Sequence, residues 1–73
     1  MTRVGILGGG QLGAMLAPAL QDLGADVHVF DPDPNAPALR RAARAIRAPW
    51  RDTARLQELF DDCDVVTYEF ENV

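Results

Sequence analysis

Residues 3–13 of the 73-residue chain read Arg-Val-Gly-Ile-Leu-Gly-Gly-Gly-Gln-Leu-Gly. The first five form a short apolar run that glycines end, which is typical of a strand buried on both faces of a parallel sheet. Gly8, Gly10 and Gly13 then follow the G-x-G-x-x-G pattern, directly after that strand and at the start of a helical pattern. Such glycines allow a tight turn and let a phosphate approach the free N–H groups of a helix N-terminus. The alternative is a tight turn that holds no ligand.

The stretch from Gln11 to Leu23 has apolar residues at helical spacing, and Gly24 follows where a helix C-terminus is expected. We predict that this apolar face packs on the sheet and that Pro18 kinks the helix locally. The predicted face consists of Leu12, Met15, Leu16, Ala19, Leu20 and Leu23.

Strand and helix patterns alternate along the rest of the chain. They predict strands over 27–30, 45–48 and 64–68, a Pro-rich loop over 31–37 and a short helix over 39–43. Asp52 is a suitable N-cap for a last helix, whose buried face is predicted to carry Leu56, Leu59, Phe60 and Cys63.

This alternation predicts an α/β fold, a doubly wound parallel sheet of about four strands with right-handed crossovers. If the strand order is 3-2-1-4, the fourth strand lies beside the first, and the glycine loop sits at the topological switch point. The sequence stops at Val73, just past the fourth strand. We therefore expect a truncated version of this fold.

Composition excludes several classes of function. The net charge of −4 disfavours binding to nucleic acid and to anionic membranes, and Arg40, Arg41 and Arg44 are better explained as a solvated helix face. The single cysteine, Cys63, forms neither a disulfide framework nor a metal-binding cluster. No signal peptide or membrane span is apparent at the N-terminus, so a cytoplasmic location is expected. His28 and Cys63 are expected to be structural, with Cys63 buried at a helix end.

Asp31 supports two interpretations. It ends the second strand near the spacing at which an acidic residue binds the ribose of a dinucleotide, which favours NAD. It also precedes a proline, a context in which Asp commonly caps a turn.

The segment that follows the fourth predicted strand is acidic and polar. Glu69, Glu71 and Asn72 come at the carboxyl end of a strand predicted to be buried, which is where ligands bind in doubly wound sheets. The alternative is a solvated acidic loop.

Taken together, the Gly-Gly-Gly-Gln-Leu-Gly loop, the Asp31-Pro32-Asp33-Pro34 segment and residues 63–73 resemble the N-terminal domain of the 5-(carboxyamino)imidazole ribonucleotide synthases, ATP-grasp enzymes of purine biosynthesis. The resemblance covers essentially the whole chain. It implies that residues 1–73 are a Rossmann-like pre-ATP-grasp domain without the ATP-grasp and C-terminal domains. Two positions depart from the family pattern, with Ala14 where an Arg is common and Pro18 where helix formers are usual.

The resemblance also implies a reaction and its ligands. ATP, with Mg²⁺, would activate bicarbonate as carboxyphosphate in the absent domains, and the amine of aminoimidazole ribonucleotide would capture the carboxyl group. The isolated chain would contribute part of the substrate site and no catalytic residue. A homodimer is implied for the full-length enzyme.

Carried over to this sequence, the substrate-binding residues would be Gly10, Gln11, Leu12 and Glu69. The loop residues would meet the phosphate or ribose of the substrate, and Glu69 would accept hydrogen bonds from the ribose or the reacting amine. The further candidate members of the site are Gly8, Gly9, Gly13, Asp31, Glu71 and Asn72.

Three alternatives remain at this point. The glycine spacing with Asp31 would by itself favour the NAD-binding domain of an oxidoreductase, although such a domain does not require the acidic run that begins at Glu69. Related ATP-grasp enzymes, such as glycinamide ribonucleotide transformylase and biotin carboxylase, share the domain plan. A non-catalytic assembly module would also fit a chain of this length.

Overall fold

The computed structural model describes residues 1–68, whose four strands form one parallel sheet. The elements are β1 (Arg3–Leu7), α1 (Gln11–Asp22), β2 (Asp26–Asp31), a 3-10 turn (Pro37–Arg40), β3 (Arg44–Arg47), α2 (Thr53–Asp62) and β4 (Val65–Tyr68). The strand order is β3-β2-β1-β4. The predicted α/β fold and strand order are therefore confirmed.

Alternation of side chains along the strands gives the sheet two apolar faces. The core under α1 consists of Ile6, Ala17, Val27, Val29 and Ala38. The core under α2 consists of Phe30, Ile46, Ala48 and Leu59. Because β2 contributes to both cores, its predicted position inside the sheet is correct.

The buried face of α1 differs from the predicted one. Its fully buried members are the small residues Gly13 and Ala17, and the half-buried Leu16 and Leu20 flank them. Four predicted face residues are instead exposed, namely Leu12, Met15, Ala19 and Leu23. The reason is that small residues let the helix approach the sheet closely, so the apolar stripe beside them is left outside. The helix is continuous through Pro18, and the kink remains a prediction.

The helix predicted over residues 39–43 is wrong. A single 3-10 turn spans Pro37–Arg40. Soon afterwards the chain is extended, and the Ala43 N–H donates to the Val27 carbonyl of β2 at 2.9 Å. Pairing with β2 therefore begins before a longer helix could form.

The last helix and strand follow the prediction with two corrections. Asp52 caps α2 as expected, its Oδ1 accepting from the Arg55 N–H at 3.1 Å, and Leu59 is buried. Phe60, the next residue round the helix, is 48% exposed rather than buried. Within residues 1–68, β4 is an edge strand rather than a buried one, and Tyr68 at its end is 67% exposed.

Candidate ligand-binding site at the glycine loop

The glycine loop, residues 8–13, follows β1 at the carboxyl edge of the sheet. The register pairs Leu7 with Phe30 on one side and with Tyr68 on the other. Since the chain reaches β2 on one side of β1 and β4 on the other, the loop lies where the strand order reverses. In open α/β sheets this is the position at which ligands bind.

Two glycines of the loop are required by the fold. Gly8 has a φ of 102°, a conformation that favours glycine, and its N–H donates to the Phe30 carbonyl at 2.8 Å. A Cβ on Gly13 would lie 2.7 Å from the Gly8 carbonyl oxygen. These two positions shape the turn and allow α1 to start close to the sheet.

Gly10 is different, because the fold itself does not require a glycine there. Its backbone is extended, with φ −73° and ψ −159°, and a Cβ built on it would meet nothing within 4 Å. The open space lies beside the first turn of α1. A glycine in such a position fits the close approach of a ligand to the backbone.

Within residues 1–68, the positive end of α1 at its N-terminus has no side-chain partner. Gly10 is the N-cap and supplies no side-chain hydrogen bond, and the first turn carries no acidic residue. The first helical bond runs from the Ala14 N–H to the Gly10 carbonyl at 2.9 Å. Among the described residues, the N–H groups of Gln11, Leu12 and Gly13 therefore have no hydrogen-bond acceptor, and with the helix dipole the N-terminus of α1 suits an anion such as phosphate.

The carboxylate of Asp31 accepts hydrogen bonds from two backbone N–H groups of this chain. Its Oδ2 accepts from the Gly9 N–H at 2.6 Å, and its Oδ1 accepts from the Asp33 N–H at 2.8 Å. The second bond confirms the turn-capping interpretation. The bond to Gly9 was not predicted, because it depends on the register that places the end of β2 beside the loop.

Several of the predicted site residues come together, and others cannot be assessed. Gly8 to Gly13 and Asp31 converge at one edge of the sheet, whereas Glu69, Glu71 and Asn72 lie outside the described residues. In the described part of the chain, no cluster of His, Cys, Asp or Glu could hold a metal ion. Over the same residues, no helix is both long and apolar enough to cross a membrane.

A polar cluster lies at the opposite, amino edge of the sheet. Asp26 Oδ2 accepts from Arg3 Nε at 3.1 Å and lies 3.4 Å from His28 Nε2. The Arg3 hydrogen bond lowers the pKa of the Asp26 carboxyl from its ordinary 3.8, desolvation opposes this, and His28 adds to the lowering. This cluster joins β1 to β2, far along the strands from the glycine loop.

Cys63 follows α2 and is half-buried rather than buried. Desolvation raises the pKa of its thiol above the ordinary 9.0, and the smaller effects of the surrounding charges include a lowering by Arg3. A thiol of this kind is mostly protonated at neutral pH and is a poor nucleophile. The expectation of a structural role is consistent with this environment.

A parallel sheet with a glycine loop and a helix N-terminus at its switch point defines a Rossmann-like α/β domain. The chain belongs to the family of ribonucleotide synthetase preATP-grasp domains, whose model matches residues 1–73.

Several similar proteins are named N5-carboxyaminoimidazole ribonucleotide synthase or synthetase, and the structure of a Mycobacterium tuberculosis glycinamide-RNase-transformylase T is also similar, with a TM-score of 0.81 at 31% identity, covering 93% of this chain and 20% of that one. The chain is 46% identical over 70 residues to N5-carboxyaminoimidazole ribonucleotide synthase of Staphylococcus aureus strain COL, which covers 96% of this chain and 19% of the relative. The crystal structure of the Thermotoga maritima synthetase is similar with a TM-score of 0.91 at 40% identity, covering 100% of this chain and 20% of that one. An S. aureus synthetase complexed with ADP has a TM-score of 0.91 at 44% identity, with 99% and 19% covered. The chain thus spans about a fifth of the length of these relatives.

Proposed function

We propose that the chain is the N-terminal, substrate-binding part of an ATP-dependent carbon–nitrogen ligase that carboxylates aminoimidazole ribonucleotide in purine (IMP) biosynthesis. The observation that carries this proposal is the open backbone at Gly10, beside an uncapped helix N-terminus, in a chain whose relatives are named ribonucleotide synthases. The ligand class that suits this backbone is a phosphorylated small molecule.

In this proposal the loop binds the phosphoribosyl end of the substrate. The N–H groups of Gln11 and Leu12 donate to phosphate oxygens, and the exposed Gln11 amide reaches the phosphate or the ribose. Gly10 contributes space, while Gly8 and Gly13 hold the turn that presents these groups.

Glu69 is the proposed second contact. It is the residue after Tyr68, and Tyr68 pairs with Leu7, the last residue before the loop. A carboxylate there would accept hydrogen bonds from ribose hydroxyls or from the reacting amine. Glu71 and Asn72 are proposed as neighbours of this contact.

The chemistry is proposed to lie outside this chain, in ATP-grasp and C-terminal domains of a full-length enzyme. ATP, with Mg²⁺, would supply the phosphoryl group that activates bicarbonate, and the ADP complex of the S. aureus relative supports nucleotide use by that protein. The isolated chain should therefore bind and not catalyse. A cytoplasmic location and a homodimeric full-length enzyme belong to the same proposal.

The NAD-binding alternative is disfavoured by the relatives of the chain. The family model is that of ribonucleotide synthetase preATP-grasp domains, and the similar proteins are named ribonucleotide synthases rather than oxidoreductases.

Titration of the ¹⁵N-labelled chain with aminoimidazole ribonucleotide and, separately, with NADH tests the proposal. We expect the amide signals of Gly10, Gln11 and Leu12 to move with the ribonucleotide and not with NADH. A response to NADH alone would replace the ligase assignment with a dehydrogenase one.

A further inference from the structure

Asp31 connects the end of β2 to the glycine loop. Its Oδ2 lies 2.6 Å from the Gly9 nitrogen, and its Oδ1 lies 2.8 Å from the Asp33 nitrogen. Hydrogen bonds to an ionised carboxylate are shorter and stronger than neutral ones. One half-buried side chain therefore fixes the loop and the following turn to each other.

Gly9 is fixed by hydrogen bonds at both its N–H and its carbonyl and by close neighbours on its Cβ side. Its carbonyl accepts from the Ala38 N–H at 2.8 Å, and a Cβ on it would lie within 3.1 to 3.3 Å of Ala36, Asp31 and Val29. Gly10, by contrast, has open space on its Cβ side. Gly9 is therefore the last tightly packed residue before the open space at Gly10, and its N–H donates to Asp31.

We infer that Asp31 is a positioning residue for the phosphate-binding N–H groups of the glycine loop. By fixing Gly9, it aims the free N–H groups of Gln11 and Leu12 into the open space beside Gly10. This inference rests on the proposed function and assigns Asp31 no contact with the ligand.

Two charge-removing variants of the 73-residue chain test the inference. Asp31→Asn weakens the bonds to Gly9 and Asp33. The matched control Asp33→Asn removes the same charge nearby, at a side chain whose Oδ1 accepts from the Asn35 N–H at 2.9 Å and, within residues 1–68, makes no bond to the loop. The probes are inorganic phosphate and ribose 5-phosphate, and the readout is the amide signal and hydrogen exchange of Gly9, Gln11 and Leu12. Circular dichroism checks that each variant is folded.

In Asp31→Asn we expect faster exchange at Gly9 without ligand and about tenfold weaker binding of both probes, the size of effect typical of a charge-assisted hydrogen bond. Asp33→Asn should bind like the original chain. Equal or tighter binding by Asp31→Asn would show that Asp31 acts only as a repelling charge. A loss confined to ribose 5-phosphate would show direct contact with the ribose, and either result overturns the inference.

The proposed function fails separately. If neither probe moves Gln11 or Leu12 in the original chain, the phosphate site is wrong. In that case the positioning role of Asp31 is judged only by hydrogen exchange at the Gly9 amide. If the Asp31→Asn variant and the original chain exchange at the same rate there, the positioning role is wrong.

Discussion

The carbonyl oxygen of Gly8 lies 2.7 Å from the point at which a Cβ on Gly13 would stand. Real Cβ atoms do not approach a backbone oxygen so closely, and neither partner is a flexible side chain that could move away. The loop at Gly8 and the first turn of α1 can therefore pack this closely only because Gly13 has no side chain. This contact separates the structural glycines of the loop from Gly10, where the Cβ side is open.

Gly13→Ala should destabilise the chain, because α1 must move away from the Gly8 carbonyl. We expect a loss of about 1–3 kcal/mol in the free energy of unfolding, the usual cost of overpacking. Urea denaturation followed by circular dichroism measures it. A stability equal to that of the original chain would show that α1 shifts without cost.

Gly10→Ala should affect ligand binding more than stability. The added methyl group meets nothing within 4 Å and the backbone is extended, so the loss of stability should be at most about 1 kcal/mol, the cost of placing Ala rather than Gly at an N-cap. Binding of aminoimidazole ribonucleotide should weaken, because the methyl group occupies the space proposed for the phosphate. Unfolding curves and ligand titrations on the same samples separate the two effects, and unimpaired binding would place the phosphate elsewhere.

Much of this could be predicted from the sequence. The strand, glycine loop and helix of residues 3–13 have short-range signals, and the alternation of elements specified the parallel sheet. Burial on α1 could not be predicted, since Leu12 and Met15 follow the same spacing as Leu16 and Leu20, and only the close contact of Gly13 and Ala17 with the sheet selects between the two stripes. The Asp31–Gly9 bond was missed for a related reason, because it depends on strand register rather than on local sequence.

The corrected face of α1 can be tested with one pair of variants. Ala17→Leu should cost about 1–3 kcal/mol of stability, because Ala17 is fully buried against the sheet. Met15→Gln should change stability by less than about 0.5 kcal/mol in this chain, because the side chain is 70% exposed. Thermal unfolding of both variants measures these losses. If Met15→Gln is the more destabilising of the two, the buried face predicted from residue spacing is correct instead.

The Asp52 cap should contribute measurably to α2. Asp52→Ala removes the acceptor of the Arg55 N–H and should lower the free energy of unfolding by about 1 kcal/mol. Asp52→Ser keeps a capping oxygen and should recover most of the loss. If the serine and alanine variants are equally unstable in urea, the cap does not act through this hydrogen bond.

Acid should weaken the cluster at the amino edge of the sheet. Because Arg3 lowers the pKa of Asp26 in the folded chain, the stabilisation is present above the unfolded value and is lost as pH falls through the folded one, below the ordinary 3.8. Asp26→Asn should therefore lose less stability than the original chain between neutral pH and this acid range. Urea midpoints across pH measure this, with Asp22→Asn as a control, since Asp22 makes no ion pair within residues 1–68. Parallel pH profiles for Asp26→Asn and the original chain would contradict the role of this pair.

The most direct measurement of the central claim is a crystal structure of the chain with aminoimidazole ribonucleotide. The account predicts the phosphate beside Gly10, with oxygens at hydrogen-bonding distance, about 2.7–3.2 Å, from the Gln11 and Leu12 nitrogens, and with Asp31 still bound to Gly9. A phosphate bound away from the N-terminus of α1, or a ribose bound to a displaced Asp31, would contradict it.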